Sequence, residues 1–255
     1  MSGTALDILR RRVEALDAGP ASDDSPTADP RLAHFVSVLS SCTNTQMAEE
    51  FAESGGPALL RPAEADEATR RCRLLTAVAR EEEGLVAGPL RRSEQCWIAS
   101  GPAPAASRLL DADRGGPHPP STKPFGLGLF TSTRTRRGDS MWQMYLDPYR
   151  GSDLFPLPWY SWRLTAAEDS RIRELASAAD WVGFVEEYAR PGDGLLHPDW
   201  ARVAADHDGV HMTLAAIVAT QGFRFQAAGG VTAAPYWDVE STLWLRWVFA
   251  AVEEI

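Results

Sequence analysis

The chain has few cysteines, no long apolar run and no large basic cluster, and each of these absences excludes a class of protein. Its 255 residues include three widely spaced cysteines, Cys42, Cys72 and Cys96, with no C-x-x-C pair among them. An odd number of isolated thiols argues against a disulfide framework and against a cysteine-rich zinc site. We therefore expect three reduced thiols.

The apolar runs are too short for a membrane span. Stretches such as residues 213–219 fall well below the roughly 20 apolar residues that cross a bilayer. The N-terminal stretch carries Arg10, Arg11 and Arg12 but has no apolar segment leading to a small-residue cleavage site, so it does not resemble a secretory signal. These features predict no membrane contact and a cytoplasmic location.

Positive charge is also scarce. There are 25 Lys and Arg residues against 35 Asp and Glu, which gives a formal net charge of −10. Binding to a nucleic-acid backbone depends on clustered Lys and Arg, and the only basic run is Arg10–Arg12. We expect no nucleic-acid partner and favour a small-molecule ligand, with a protein or a small molecule as acceptor.

Residues 5–17 have apolar side chains at three- and four-residue spacing after Thr4, and Asp7 is placed to complete a capping box. This pattern predicts an amphipathic helix. Residues 21–30 contain two prolines and no apolar residue larger than alanine, a composition typical of a flexible linker. The division predicted from these features is an N-terminal helix and linker over residues 1–30, followed by one globular domain over residues 31–255.

Within that domain, residues 31–89 have helical patterns and residues 90–255 contain the strands. Gln46–Glu53 and Ala63–Glu82 are predicted helices, the second opened by Pro62. The fold class is therefore predicted to be α+β, with a helical N-terminal third packed on a mixed or antiparallel sheet built from the middle and C-terminal strands.

Strands are predicted at residues 95–100, after the glycine-bearing turn at Gly128, and at Met141–Leu146. Thr165 and Glu168 are spaced as a capping box for a helix running through Ala179. Residues 197–199 are expected to open another helix, ending near Ala205, and Asp206–Gly209 to form a turn before a strand beginning at His211.

The clearest predicted strand covers residues 237–247. Alternation places one set of side chains toward the core: Val239, Ser241, Leu243 and Leu245. The opposite face carries two carboxylates and a hydroxyl beside a tryptophan, an arrangement typical of a lined cleft: Asp238, Glu240, Thr242, Trp244 and Arg246.

Thr131, Ser132 and Thr133 form a hydroxyl cluster at the end of the strand after Gly128. Such hydroxyls can orient a bound ribose, and a facing carboxylate such as Glu240 can bind a ribose hydroxyl and stabilise the positive charge that develops when a glycosidic bond breaks. Cleavage of the nicotinamide–ribose bond of NAD has these requirements.

At these residues the chain resembles the ADP-ribosyltransferase superfamily. The superfamily pattern is an Arg or His on an early strand, then a Ser-Thr-Ser-like strand, then a strand bearing Glu, often as acidic-x-Glu. Gly128–Thr133 resembles the second element and Asp238–Glu240 the third, in the expected order along the chain. The resemblance implies NAD as the substrate, Glu240 as the catalytic carboxylate, Asp238 as its assistant and Ser132 as the residue that positions the ribose.

Further residues are predicted to contact NAD around this pair: Thr131, Thr133, Lys123, Gly128 and Trp244. The early Arg or His of the superfamily pattern is left open among Arg91, Arg92 and His118, because Tyr149–Gly151 resembles that element but follows the hydroxyl strand.

Two alternatives from other classes are open. A metal-assisted enzyme would use the region from His197 to His211, with Asp208 and His211 as its best ligands. A non-catalytic binding module would use the tryptophans of the C-terminal half, with Trp159, Trp162 and Trp244 as the rings best placed to line an aromatic cleft.

Overall fold

A computed structural model of the chain describes residues 4–19, 29–42, 59–101, 103–106, 128–153, 156–234 and 237–255. Its helices, in chain order, are α1 Ala5–Asp17, α2 Pro30–Ser41, α3 Pro62–Arg70, α4 Arg73–Ala79, α5 Glu83–Val86, α6 Met141–Leu146, α7 Ala178–Glu187, α8 Trp200–Asp206 and α9 Leu214–Thr220. Its strands are β1 Leu59–Leu60, β2 Gln95–Ala99, β3 Leu129–Thr133, β4 Tyr160–Ala166, β5 Ile172–Leu175, β6 Ala189–Gly192, β7 Leu195–Pro198, β8 Gly209–Met212, β9 Arg224–Ala227, β10 Gly230–Ala233, β11 Ser241–Trp244 and β12 Phe249–Glu254.

The central feature is a curled seven-stranded mixed sheet with the order β12-β4-β2-β3-β11-β8-β5. Neighbouring strands pair antiparallel, except for β5 and β8, which are parallel. Smaller sheets join β1, β9 and β10, and β6 with β7. The predicted α+β class, with a sheet built from middle and C-terminal strands, is confirmed.

The N-terminal helix α1 begins as its sequence predicts. Thr4 and Asp7 form the capping box, each side chain accepting a hydrogen bond from the backbone of the other. Its apolar stripe, which includes Leu9 and Leu16, is buried in the main core. Arg12 lies on the same helix and is also buried, where it donates to the carbonyl of Val218 at 3.0 Å. The helix therefore packs against the body of the protein.

The predicted continuous helix at Ala63–Glu82 is wrong, because α3 ends at Arg70 and α4 begins at Arg73. The break has one local and one tertiary cause. The Cys72 thiol accepts a hydrogen bond from Leu75 N, and the carboxylate of Asp17 on α1 accepts one from Leu74 N. These acceptors satisfy amide groups at the start of a new helix. The predicted helix at Gln46–Glu53 and most of the linker at 21–30 lie outside the described residues.

Two predictions in the middle of the chain are wrong. Met141–Leu146 forms helix α6 because Ser140 caps it and the buried residues Met141 and Met144 follow helical spacing. Thr165 does not open a helix, because it lies in β4 and pairs with Ala251 of β12. The next helix, α7, begins instead after Ser177, whose hydroxyl accepts from Asp180 N.

The later elements follow the sequence more closely. Asp199 caps α8, as predicted, and His211 lies in a strand, β8. The strand predicted at residues 237–247 is shorter than expected: it is β11 and covers only Ser241–Trp244. It ends there because the amides of Leu245 and Arg246 donate to the carbonyl of Asp208 rather than to a neighbouring strand.

Both faces of the middle of the sheet are covered. Val210, Met212 and Leu243 point to the face that packs against the helices in the main apolar cluster. The other face carries Leu129 and Trp244, which belong to a second cluster with residues of β4 and β12. In the described part of the chain, no helix combines the length and apolarity needed to cross a membrane.

Candidate functional site

The hydroxyl strand β3 and the acidic end of β11 are neighbours in the sheet. Thr131 of β3 pairs with Thr242 of β11, so Glu240, just before β11, arrives beside the end of β3. The hydroxyl of Ser132 donates to Glu240 Oε2 at 3.0 Å, and the amide of Thr133 donates to the same oxygen at 2.8 Å. The predicted pair, Ser132 and Glu240, is thus in direct contact.

Glu240 has further donors on its second oxygen. Thr133 Oγ1 donates to Oε1 at 2.6 Å, and His211 Nε2 lies 2.8 Å from the same atom. The Glu240 side chain has no exposed surface, and neither does Ser132. A buried carboxylate is strongly unfavourable unless it is paired and hydrogen-bonded, and these four contacts meet that requirement. The cleft predicted on this face is therefore a filled polar interior in this structure.

His211 links Glu240 to a second carboxylate. Its Nδ1 contacts Glu174 Oε2 on β5, while its Nε2 contacts Glu240. The register explains this placement, because His211 of β8 lies opposite Glu174 on one side and Thr242 on the other. Glu174 also accepts a hydrogen bond from the amide of Leu90 at 2.9 Å. The three side chains form a carboxylate–imidazole–carboxylate row across neighbouring strands.

The charges in this row alter the pKa of His211 and the pKa of Glu174. Burial alone would lower the pKa of the His211 imidazole, but hydrogen bonds to Glu174 and Glu240 and their negative charges raise it to about 9. Burial opposes ionisation of Glu174, yet the hydrogen bond from His211 and its positive charge lower the pKa of that carboxyl below its ordinary value. The fold thus favours an imidazolium between two carboxylates.

A chain of hydrogen bonds reaches Glu240 from the opposite side. Trp244 Nε1 donates to Thr131 Oγ1 at 2.8 Å, and Thr131 Oγ1 donates to Gln95 Oε1 at 2.6 Å. Gln95 Nε2 then donates to Thr133 Oγ1 at 3.2 Å. An indole N–H can only donate and a carboxylate can only accept, so every hydroxyl in this chain is oriented toward Glu240.

The other residues of the predicted catalytic set have different surroundings. Asp238 is two residues from Glu240 but accepts a hydrogen bond from Gln221 Nε2 at 2.6 Å, and it is partly exposed. Trp244 does share a face with Glu240, but its ring is fully buried and packs edge-on against Phe249 at 4.9 Å.

Gly128 has a structural reason to be glycine. Its φ is +75°, and an added Cβ would lie 2.2 Å from the carbonyl oxygen of Trp244. The positive φ and the close backbone approach both favour glycine at this position. Lys123 and His118, predicted as an NAD contact and as a candidate for the early basic position, lie outside the described residues.

The two candidate arginines have structural partners. Arg91 forms an ion pair with the buried Glu82 at 2.8 Å. Arg92 donates to the hydroxyl and the carbonyl of Ser170. The residue of β2 that reaches the hydroxyl strand is instead Gln95, which sequence reasoning did not select.

The side chains predicted as metal ligands do not meet at one site. His197 Nε2 lies 2.9 Å from the carbonyl oxygen of Gly192, whereas His211 lies between two carboxylates. Asp208 accepts from the amide of Arg171. In the described ranges, no group of three His, Cys, Asp or Glu residues is arranged to hold a metal ion.

The aromatic residues divide between core and surface. Trp162 lies opposite Trp97 in the sheet and packs against the second apolar cluster. Trp159 is partly buried, and the guanidinium of Arg150 lies 5.3 Å from its ring centroid. Nearby, Trp142 and Tyr145 of α6 are stacked with centroids 5.3 Å apart. Trp142, Tyr145 and Trp159 pack together around Leu146 as partly buried rings.

The sequence predicted Ser132 and Glu240, which are in contact, but it pointed to neither Glu174 nor Gln95 and gave His211 a different role. A usable signal existed for His211: it is the one ionisable side chain in the four-residue strand Gly209–Met212, which is buried throughout. A charged group in a strand that is otherwise apolar is expected to have a partner of opposite charge. No comparable local signal identifies Glu174, since β5 also contains the partly exposed Arg173.

Comparison with known proteins gives no match: no family model, no curated protein and no solved structure is significantly similar to this chain.

Proposed function

We propose that this protein cleaves the nicotinamide–ribose bond of NAD and transfers the ADP-ribosyl group to water or to another acceptor. The observation that carries the proposal is the contact between Ser132 Oγ and Glu240 Oε2 at 3.0 Å. It places a hydroxyl and a carboxylate from two neighbouring antiparallel strands at one point, in the chain order of the superfamily that the two motifs resemble.

In this reaction the bond between ribose C1′ and the nicotinamide nitrogen breaks, and its electron pair leaves with neutral nicotinamide. A lone pair of the acceptor oxygen forms the new bond to C1′, and the acceptor proton passes to solvent. Positive charge develops on the ribose before the new bond is complete. A fixed carboxylate near the ribose stabilises that charge without itself becoming bonded to the sugar.

The residues around Glu240 suit this role. Ser132 and Thr133 hold the carboxylate in one orientation with three donor groups, one of them a backbone amide. A carboxylate fixed in advance needs no reorganisation when charge develops. The oriented hydrogen-bond chain through Gln95 restricts the Thr133 hydroxyl further. In the proposal, Ser132 exchanges its bond to Glu240 for one to the ribose.

Burial sets a condition on the proposal. Ser132 and Glu240 have no exposed surface, so NAD can reach them only if side chains around the pair move when it binds. The strands themselves need not separate, because each of the two residues lies at or next to the end of its strand.

The test is nicotinamide release from NAD by the purified chain, followed by chromatography. Glu240→Gln should abolish release, because the amide has no negative charge with which to stabilise the positive charge that develops on the ribose. The matched control is Glu253→Gln, which makes the same chemical change in the exposed ion pair with Arg163 on β12 and should leave release unchanged.

Because Glu240 is buried, its substitution can also unfold the chain, and circular dichroism must accompany each assay. Ser132→Ala removes only one of the donors to Glu240 and is the second test. We expect it to lower release about 10- to 100-fold, by analogy with the loss of activity when a group that orients a metal ligand is removed. A folded Ser132→Ala or Glu240→Gln protein with wild-type release would refute the proposal.

A second candidate function is a non-catalytic binding module, and the aromatic surface of Trp142, Tyr145, Trp159 and Arg150 favours it. In that case Glu240 and its partners stabilise the sheet, and NAD is not consumed. Quenching of tryptophan fluorescence by a flat ligand, lost in Trp142→Leu and retained in Glu240→Gln without any product, would identify this function.

A further inference from the structure

We propose that His211 and Glu174 are positioning residues for Glu240: the imidazolium of His211, anchored by Glu174, fixes the orientation and the negative charge of the catalytic carboxylate. The kinetic part of this inference rests on the proposed function. The charge state of His211 can be tested without it.

Hydrogen-bond counting supports the imidazolium. Each ring nitrogen of His211 contacts a carboxylate oxygen, Nδ1 that of Glu174 and Nε2 that of Glu240. A neutral imidazole carries one N–H and can donate to only one of these partners. Glu240 accepts three hydrogen bonds from Ser132 and Thr133, as an ionised carboxylate does. It therefore has no proton to donate to His211, and the ring nitrogen must be the donor in this contact. Both contacts are satisfied together when both ring nitrogens carry a proton.

The anchor is built into the fold. Glu174 Oε1 accepts the amide of Leu90, which leaves Oε2 for His211. Gly88 approaches this carboxylate so closely that an added Cβ would lie 3.1 Å from Oε2, and its φ is +80°. The segment from Gly88 to Leu90 therefore packs against Glu174 and fixes its position. The Glu174 side chain nevertheless remains 32% exposed.

The surrounding charges favour the same arrangement. The groups that act on the pKa of His211 are the two carboxylates, Glu174 and Glu240, which outweigh its burial. Arg92 contributes positive charge near Glu174 and lowers the pKa of that carboxyl further. His207, four residues earlier, has the opposite balance: burial and the charge of Arg173 lower its pKa. The two histidines should therefore differ in protonation at neutral pH.

The row also links the buried carboxylate to the surface. Glu240 and His211 are fully buried, and Glu174 is the one member of the row with substantial exposure. The row therefore meets the solvent at Glu174, while Glu240 itself stays buried.

The first experiment measures nicotinamide release between pH 5 and 9 for the wild type, Glu174→Gln and His211→Gln. Glu174→Gln keeps the size of the side chain, but it removes the negative charge and replaces one of the two acceptor oxygens by an NH2 donor. A purely structural role for Glu174 predicts an unchanged pH profile. The positioning role predicts a fall in kcat of about 10- to 100-fold, little change in KM, and loss of activity at a lower pH on the alkaline side, because Glu174 is one of the two carboxylates that raise the pKa of the His211 imidazole. Glu253→Gln, the same chemical change in the exposed ion pair with Arg163 on β12, is the control and should match the wild type.

The second experiment observes the ring nitrogens of the five histidines by NMR on uniformly labelled wild-type protein. The His211 signal is the one that is missing from the spectrum of His211→Gln. If that variant does not fold, the His211 signal is identified as the one that shifts in the spectrum of Glu174→Gln. We expect both nitrogens of His211 to be protonated at pH 7.5 and His207 to be neutral.

The two experiments separate the failures. If NAD is not cleaved by the wild type but His211 is doubly protonated, the proposed function is wrong and the charge assignment holds. If NAD is cleaved and Glu174→Gln has a wild-type kcat and pH profile, the positioning role is wrong. A neutral His211 ring at pH 7.5 overturns the inference in either case.

Discussion

Stability between pH 6.5 and 9 should depend on His211. In the unfolded chain an imidazole titrates near 6.5, and in the folded protein the pKa of His211 is raised to about 9 by Glu174 and Glu240. Because the folded pKa is the higher one, the stabilisation is fully present below pH 6.5 and is lost as the pH rises through about 9. The interval is about 2.5 pH units, and at about 1.4 kcal/mol per unit it corresponds to roughly 3 kcal/mol of unfolding free energy.

The assay is urea denaturation at half-unit pH steps from 6 to 9.5, with the unfolding free energy compared between the wild type and His211→Gln. The wild type should lose roughly 3 kcal/mol over this interval relative to the variant, in which this proton is absent. At pH 7 the variant should be less stable by about 3 to 5 kcal/mol, because Glu240 becomes a buried charge without its cationic partner.

The control is His34→Gln, which removes a partly exposed imidazole that contacts the carbonyl of Ala15 and should have the pH dependence of the wild type. Parallel curves for wild type and His211→Gln would refute the reasoning. At the acid end the sign reverses: the pKa of Glu174 is lowered, so its contribution is present above about pH 4.5 and is lost as the pH falls below that value.

Two further predictions concern packing around the same sheet. Gly128→Ala should lower the unfolding free energy by at least about 2 kcal/mol, because the new Cβ would meet the Trp244 carbonyl at 2.2 Å. Gly194→Ala is the control: its φ is similarly positive, but it has open space around it, so it should cost only about 1 kcal/mol. The difference between the two variants measures the clash apart from backbone strain. Arg12→Met should cost roughly 2 to 3 kcal/mol in the same urea assay, because the buried carbonyls of Val218 and Gln221 lose their donor. The exposed Arg11→Met is its control, and equal stability of the two arginine variants would contradict the assigned role of Arg12.

Local signals were sufficient for several elements. The capping box of Thr4 and Asp7 and the N-cap at Asp199 were readable because the groups that satisfy the first amides of a helix are close in sequence. The same kind of signal misled at Thr165 and Glu168, where pairing of β4 with β12 determines the structure. The strand predicted at Met141–Leu146 was wrong for a different reason. Such a short, mostly apolar segment fits a helix or a strand, and the N-cap at Ser140 favours the helix.

The candidate site divides in the same way. The sequence by itself determined which segments carry hydroxyls and acids, and on that basis Ser132 and Glu240 were predicted as site residues. Only the tertiary structure decided that β5, β8, β11, β3 and β2 lie side by side. This order brings His211 to Glu240 and connects Glu174 and Gln95 to the same carboxylate through His211 and Thr133. Strand order depends on which apolar faces pack together over separations of up to about a hundred residues, and this information is not present in any local pattern. The same packing fully buries Glu240, so its charge is maintained by partners that no motif near it contains.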